Sequence, residues 1–170
     1  MAIKIIKASL FEAPPNSILL HACNCRGQWG NPRTQTGRAT RRLIWSGGGI
    51  ALLFREKYPE SYQLHVNHCA SHPKDALLGT TQLIACPEDA TTQIACLFTS
   101  DRGGKRCDSP PEILDATRRG LIDLKQQVAR LDGEWSIAAC KFNSGIFKVP
   151  WDQSQAIIEE VGLDVDLYVP

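Results

Sequence analysis

Residues 18–54 read ILLHACNCRGQWG (18–30), NPRTQTGRATRRLIWS (31–46) and GGGIALLF (47–54), and the reading of this stretch decides the fold. Ile18, Leu19 and Leu20 form a short apolar run that predicts a buried strand. It passes into the polar His21 and Asn24. Gly47, Gly48 and Gly49 then lead into a second apolar segment, Ile50 to Phe54, which predicts the first turns of a helix. A strand feeding a glycine-rich turn that opens a helix brings backbone amides close to an anion, because glycine has no Cβ to hold the ligand off. A phosphate-bearing ligand is the functional expectation, and a merely flexible connection is the simpler alternative.

Working outward, Ile3 to Lys7 is a short β-prone run closed by Pro14, Pro15 and Asn16. Residues 50–57 are expected to be helical, and Pro59 starts a second helix that runs to about His72 and is stopped by Pro73. Thr80–Ala85 and Gln93–Thr99 are strand candidates joined by the polar turn Pro87, Glu88, Asp89, so they should lie side by side. Ser109, Pro110, Pro111 and Glu112 carry the signs of a helix start: a hydroxyl cap, proline in the first turn and an early acid. Ile113, Leu114, Thr117, Leu121, Leu124, Val128 and Leu131 follow at helical spacing, with Asp132 and Gly133 as the stop. Trp135–Cys140 predicts a strand, FNSGIFKVPW (142–151) a loop, Asp152–Val161 a helix and Leu163–Val169 a last strand. Strands alternating with helices indicate an α/β layered domain with a largely parallel sheet, whose ligands bind beyond the carboxyl ends of the strands.

The composition narrows the function. A chain of 170 residues can bury about two-thirds of its unfolded surface as one domain. Nineteen basic and eighteen acidic side chains leave a net charge of +1, which argues against a dedicated nucleic-acid binder. With no charged and apolar leader and no membrane-length apolar run, the expectation is a soluble intracellular protein. Seven cysteines, several inside apolar runs (Cys86, Cys96, Cys140), fit a reducing compartment better than a disulfide framework.

The segments HACNCRGQWG (21–30) and GGGIALLFREKYPESY (47–62), the pair LLGTTQLI (77–84) and IACLFTS (94–100), and FNSGIFKVPW resemble, in order and over nearly the whole chain, the fungal ADP-ribose 1''-phosphate phosphatase branch of the macrodomain family. The resemblance implies a single macrodomain over 1–170, a three-layer α/β/α fold with a mixed, mostly parallel six-stranded sheet, and ADP-ribose in a cleft at the strand ends. It implies that Asn24, Gly47, Gly48, Gly49 and Ile50 hold the distal ribose and its 1''-phosphate. Ser144, Gly145, Ile146 and Phe147 would wrap the diphosphate with backbone amides, which is sound because consecutive N–H groups converge on phosphoryl oxygens. Phe147 would also pack on the distal ribose, and Ser9 and Leu10 would meet the base.

The activity so implied is hydrolysis of ADP-ribose 1''-phosphate to ADP-ribose and phosphate, in a by-product route of tRNA splicing. A non-catalytic reader of mono-ADP-ribose and an ADP-ribosyl glycohydrolase are the alternatives. The resemblance implies no cofactor and no metal, a small-molecule substrate and no nucleic acid or membrane partner. A monomer in the cytoplasm, and in the nucleus as well, is expected.

Three departures matter. Many macrodomains carry Gly-Asp after the first strand, the aspartate receiving the adenine amino group; here Ala8 and Ser9 stand there, which implies weaker adenine selectivity. The lysine and aspartate of the deacylating glycohydrolases have no match, since Ser100 and Phe147 occupy those places. Residues 31–46, with four arginines and no acid, interrupt the family pattern between the Trp-Gly step and the glycine triplet. This segment is read as a translated intron, as a basic loop at the cleft mouth where Arg33, Arg38, Arg41 or Arg42 would reach phosphate, or as a solvated insertion with no part in the site.

Hydrolysis needs an aligned water, stabilisation of the equatorial oxygens and a proton for the leaving sugar oxygen. His21, at a strand end beside the loop and near neutrality in its free pKa, is the sequence's candidate for the proton, with a buried core histidine as the alternative, and His21 and Asn24 are the two expected catalytic residues. Cys23 and Cys25 flank Asn24, but no Cys-x5-Arg phosphate loop follows. His65, His68, Cys69 and His72 share one helical face, yet four ligands on one straight helix cannot close a tetrahedron around zinc. Trp29 and Trp151 are candidates for stacking on adenine or for ordinary packing.

Overall fold

The structure, a computed structural model, describes residues 3–30 and 49–170. Residues 31–48, which include the basic insertion and the first two glycines of the triplet, lie outside the described residues. Six strands form one sheet in the order β1-β6-β5-β2-β4-β3. These are β1 (Ile3–Lys7), β2 (Ser17–Asn24), β3 (Thr81–Ala85), β4 (Thr92–Ser100), β5 (Ser136–Ala139) and β6 (Val165–Val169). All neighbours run parallel except β3, which pairs antiparallel with β4 and is the strand reached by the short turn at 86–91. The helices are α1 (Gly49–Lys57), α2 (Pro59–Ser71), α3 (Lys74–Leu77), α4 (Pro110–Val128) and α5 (Trp151–Val161).

The strands β2 and β4 are covered on both faces, and that is why they read as nearly continuous apolar runs. Alternation divides their side chains between two cores. Leu19, Cys23, Ile94, Cys96 and Phe98 point to the α1–α2 side, where they meet Trp29, Phe54, Tyr58 and Leu77. Ile18, Leu20, Ala95 and Leu97 point to the other side and meet Leu121, Leu124, Ile157 and Ile158 of α4 and α5.

The helix ends show local chemistry at work. Ser109 and Glu112 form a capping box at the start of α4, as their spacing predicts. The helix closes at Val128 and not at Leu131, because Arg130 and Leu131 donate to Gln127 and Val128 at i−3, a tightening of the last turn. Tyr58 gives α2 no side-chain cap. Glu88, on the turn between β3 and β4, does so instead: its Oε1 accepts from Glu60 N at 2.7 Å and Ser61 N at 2.9 Å, and its Oε2 from Ser61 Oγ at 2.7 Å. The short helix α3 was not foreseen; Pro73 both stops α2 and stands as the N-cap of the next turn.

Candidate active site

The parallel strands end along one edge, and a cavity of about 480 Å³ opens there, a size suited to a nucleotide-like small molecule. Its wall comes from five strand exits, with β4 contributing Gly103. Ala8, Ser9, Leu10 and Phe11 follow β1; Asn24, Gln28, Trp29 and Gly30 follow β2; Lys141 to Phe147 follow β5; Tyr168 and Val169 close β6. Ile50, Ala51 and Leu53 of α1 complete one side. No side chain of the wall among the described residues carries a carboxylate.

The apolar end is made by Leu10, Phe11, Tyr168 and Val169, and the polar end by Asn24, Gln28 and Gly103. Between them lies the loop after β5. Its geometry follows from two left-handed residues, Asn143 (φ 64°) and Lys148 (φ 55°), and from two closures: Lys148 N donates to Gly145 O at 3.0 Å, and Val149 N to Asn143 O at 2.9 Å. Among the described residues, the amides of Ser144, Gly145, Ile146 and Phe147 have no acceptor. The Ser144 hydroxyl is already committed to Lys141 O at 2.5 Å, so it is the backbone that is free for a ligand. This is the arrangement that anion-binding loops use.

At the polar end Asn24 builds its own turn: Oδ1 accepts from Arg26 N at 2.9 Å and Nδ2 donates to Gln28 O at 3.3 Å. Arg26 reaches across to Asp101 Oδ2 at 2.9 Å, joining the β2 exit to the β4 exit. Lys74 and Arg102 approach the same oxygen. Burial would raise the Asp101 carboxyl, but Arg26 above all, with Lys74 and Arg102, holds it below the usual aspartate range. Gly30 is left-handed (φ 73°), and a Cβ there would stand 2.9 Å from Leu52 Cβ, so α1 packs directly on this turn.

Of the residues expected at the site, Ser9, Leu10, Asn24, Ile50, Ser144, Gly145, Ile146 and Phe147 all line the cavity. Gly49 opens α1, while Gly47 and Gly48 lie outside the described residues. His21 is elsewhere. It is fully buried beneath the cleft, its ring stacked on Phe54 at 4.1 Å and edge-on to Trp29 at 5.0 Å, and it is absent from the cavity wall. A proton donor must come within hydrogen-bond reach of the reacting oxygen, so the proton-handling role read from the sequence does not follow from this geometry.

Cys25 is buried, and burial first, then Asp101, pushes its thiol up to about 12, which makes it a poor nucleophile. Cys23 touches the cavity floor. Burial opposes its ionisation, yet the Cys96 thiol and then the His21 ring hold its pKa below the ordinary thiol value.

His21, Cys23 and Cys96 are the one His/Cys grouping close enough for a metal among the described residues. Cys23 Sγ, however, sits 3.6 Å from Nδ1 and 3.7 Å from Nε2, so it faces neither ring lone pair. On α2 the four residues of the expected face part company. His65 is buried against Gln82 and Cys69, whereas His68 and His72 pair with each other at 4.3 Å.

Fold and site together define an α/β protein with a cavity at the ends of a mostly parallel sheet, onto which a loop turns backbone amides that have no acceptor among the described residues. The sequence model of the Macro domain family matches residues 20–158, and the chain belongs to that family. It is 32% identical over 185 residues to the ADP-ribose 1''-phosphate phosphatase of Meyerozyma guilliermondii, covering 96% of each chain. It is 36% identical over 167 residues to the protein of the same name from Chaetomium globosum, covering 91% of this chain and 80% of that one. Among solved structures, the macrodomain of Thermus aquaticus DarG superposes with a TM-score of 0.70 over 99% of both chains at 22% identity, a likeness of fold.

Proposed function

We infer that the chain hydrolyses ADP-ribose 1''-phosphate to ADP-ribose and inorganic phosphate. The observation that carries the reading is the run of four uncommitted amides, Ser144 to Phe147, on a cavity wall whose described side chains include no carboxylate. Fungal relatives named for this activity, similar over nearly the whole chain, support it. The diphosphate lies against the Ser144–Phe147 amides, the base at the apolar end with Ser9 and Leu10, and the distal ribose and its phosphate at the polar end near Asn24 and the start of α1. Water attacks the phosphorus and gives up a proton, the bond from phosphorus to the sugar oxygen breaks, and that oxygen gains a proton in exchange through solvent, leaving the ribose hydroxyl and inorganic phosphate. Asn24 orders the turn beside the reacting phosphate. His21 supports the floor of the cleft and does not itself donate the proton.

A second reading, a non-catalytic reader of ADP-ribose, is favoured by one feature. Apart from Cys23, Cys140, Lys141 and Tyr168, the described side chains of the wall offer nothing that titrates, and burial pushes Cys140 up to about 12. Incubation with ADP-ribose 1''-phosphate separates the two. Phosphate release above a heat-denatured control supports the phosphatase, whereas calorimetric binding of ADP-ribose with no release supports the reader. The substrate is a free small molecule, and the chain is proposed to act as a cytoplasmic monomer, with the nucleus as a further compartment. No helix among the described residues is long and apolar enough to cross a membrane.

A further inference from the structure

We infer that Asn143 is the positioning residue of the phosphate-facing loop, an inference that rests on reading Ser144–Phe147 as the diphosphate cradle. Asn143 immediately precedes the four free amides, is left-handed at φ 64°, and is 4% exposed. Its carboxamide is engaged at both ends. Thr99 Oγ1 of β4 donates to Oδ1 at 2.9 Å, while Nδ2 donates to Thr117 Oγ1 of α4 at 2.9 Å and to Ser154 Oγ of α5 at 3.3 Å. The Thr117 hydroxyl hydrogen is already given to Ile113 O at 2.7 Å, so Thr117 meets Asn143 with a lone pair and fixes which way the amide points.

One side chain thus ties the loop to the sheet and to both helices on that face. The main-chain carbonyl of Asn143 also closes the loop by accepting from Val149 N. Such a buried and fully satisfied network specifies a single arrangement. The direction of the next four amides is set by the Asn143 backbone, so releasing the carboxamide lets them turn away from a common point. The loss should fall on a ligand that carries a diphosphate and spare one that does not.

The test uses the full chain and three variants: Asn143→Gly, which keeps the left-handed backbone accessible, and Thr99→Val and Ser154→Ala, which each remove one anchor. ADP-ribose and adenosine are titrated separately by NMR. The ADP-ribose dissociation constant should rise about tenfold or more in Asn143→Gly, equivalent to about 1.4 kcal/mol, and severalfold in the single-anchor variants. That for adenosine should stay within about twofold. Equal losses for both ligands would show general damage and overturn the inference, as would unchanged ADP-ribose binding. If Asn143→Gly does not fold, the two anchor variants decide by the same criterion. An unaltered chain that ignores ADP-ribose would remove the diphosphate reading and this inference with it.

Discussion

The ring and thiol contacts of His21 are with Phe54 on one face, Trp29 at the edge and the Cys23 and Cys96 thiols beyond. A residue so placed supports packing. His21→Ala should therefore lower stability by about 2–4 kcal/mol, as other large-to-small core changes do, read as a shift of the urea midpoint. A stable variant that has lost phosphate release alone would restore the proton role. Cys25→Ser should keep turnover near that of the unaltered chain, because the thiol is buried and hard to ionise; loss of turnover with the fold intact would point to covalent chemistry.

At the base end, the Ser9 hydroxyl accepts from Phe11 N at 3.3 Å and can both give and take one further hydrogen bond. It should discriminate poorly between a 6-amino and a 6-oxo purine. Ser9→Asp should raise the preference for ADP-ribose over its hypoxanthine analogue by about tenfold, on the scale of a charge-assisted hydrogen bond. Competition binding checks it, and an unchanged ratio would remove Ser9 from base selection.

Glu88 sets the start of α2 from a turn 28 residues further along. Burial would raise its carboxyl, but the Ser61 hydroxyl and then the backbone N–H groups of Ser61 and Glu60 hold it below the usual glutamate value. A depressed carboxyl contributes stability above the unfolded-state pKa and loses it as the pH falls through the folded-state pKa. Glu88→Gln should thus cost about 1 kcal/mol at neutral pH, the usual size of a helix cap, and the difference between the two chains should close in acid. Urea titrations at pH 7 and near pH 3 read it, and a gap that persists in acid would contradict the cap.

Elements whose signal is local were legible in the sequence. The strands β2 and β4 are buried on both faces and read as apolar runs, and α4 shows its stripe and its capping box. The single-turn helix α3 was not legible, because four residues give no period and Pro73 reads equally as a stop. The site divides the same way. The loop FNSGIF was singled out by its family resemblance, with small residues that suit converging amides, and eight of the expected contacts line the cavity. The burial of His21, the distant cap by Glu88 and the Asn143 clamp depend on partners far along the chain, and a polar letter in a sequence does not say whether its side chain meets water or protein.

For the whole molecule, the sheet edge collects five strand exits, so an activity carried by backbone amides depends on the fold as a unit. Residues 31–46 interrupt this plan between Gly30, which packs on α1, and the glycine that opens α1. If they are a translated intron, the spliced message lacks them and a chain made without them releases phosphate at least as fast as the full one. A spliced message that keeps them, together with a shortened chain that has lost activity, would make them a working part of the cleft.

The most direct measurement is an amide-resolved NMR titration of the purified chain with ADP-ribose. The shifts should be largest at Ser144–Phe147, with further changes at Ser9–Phe11 and around Asn24, all titrating with one dissociation constant. Shifts confined to the outer faces of α4 and α5, or an unchanged spectrum at millimolar ligand, would contradict the placement of the ligand and the function built on it.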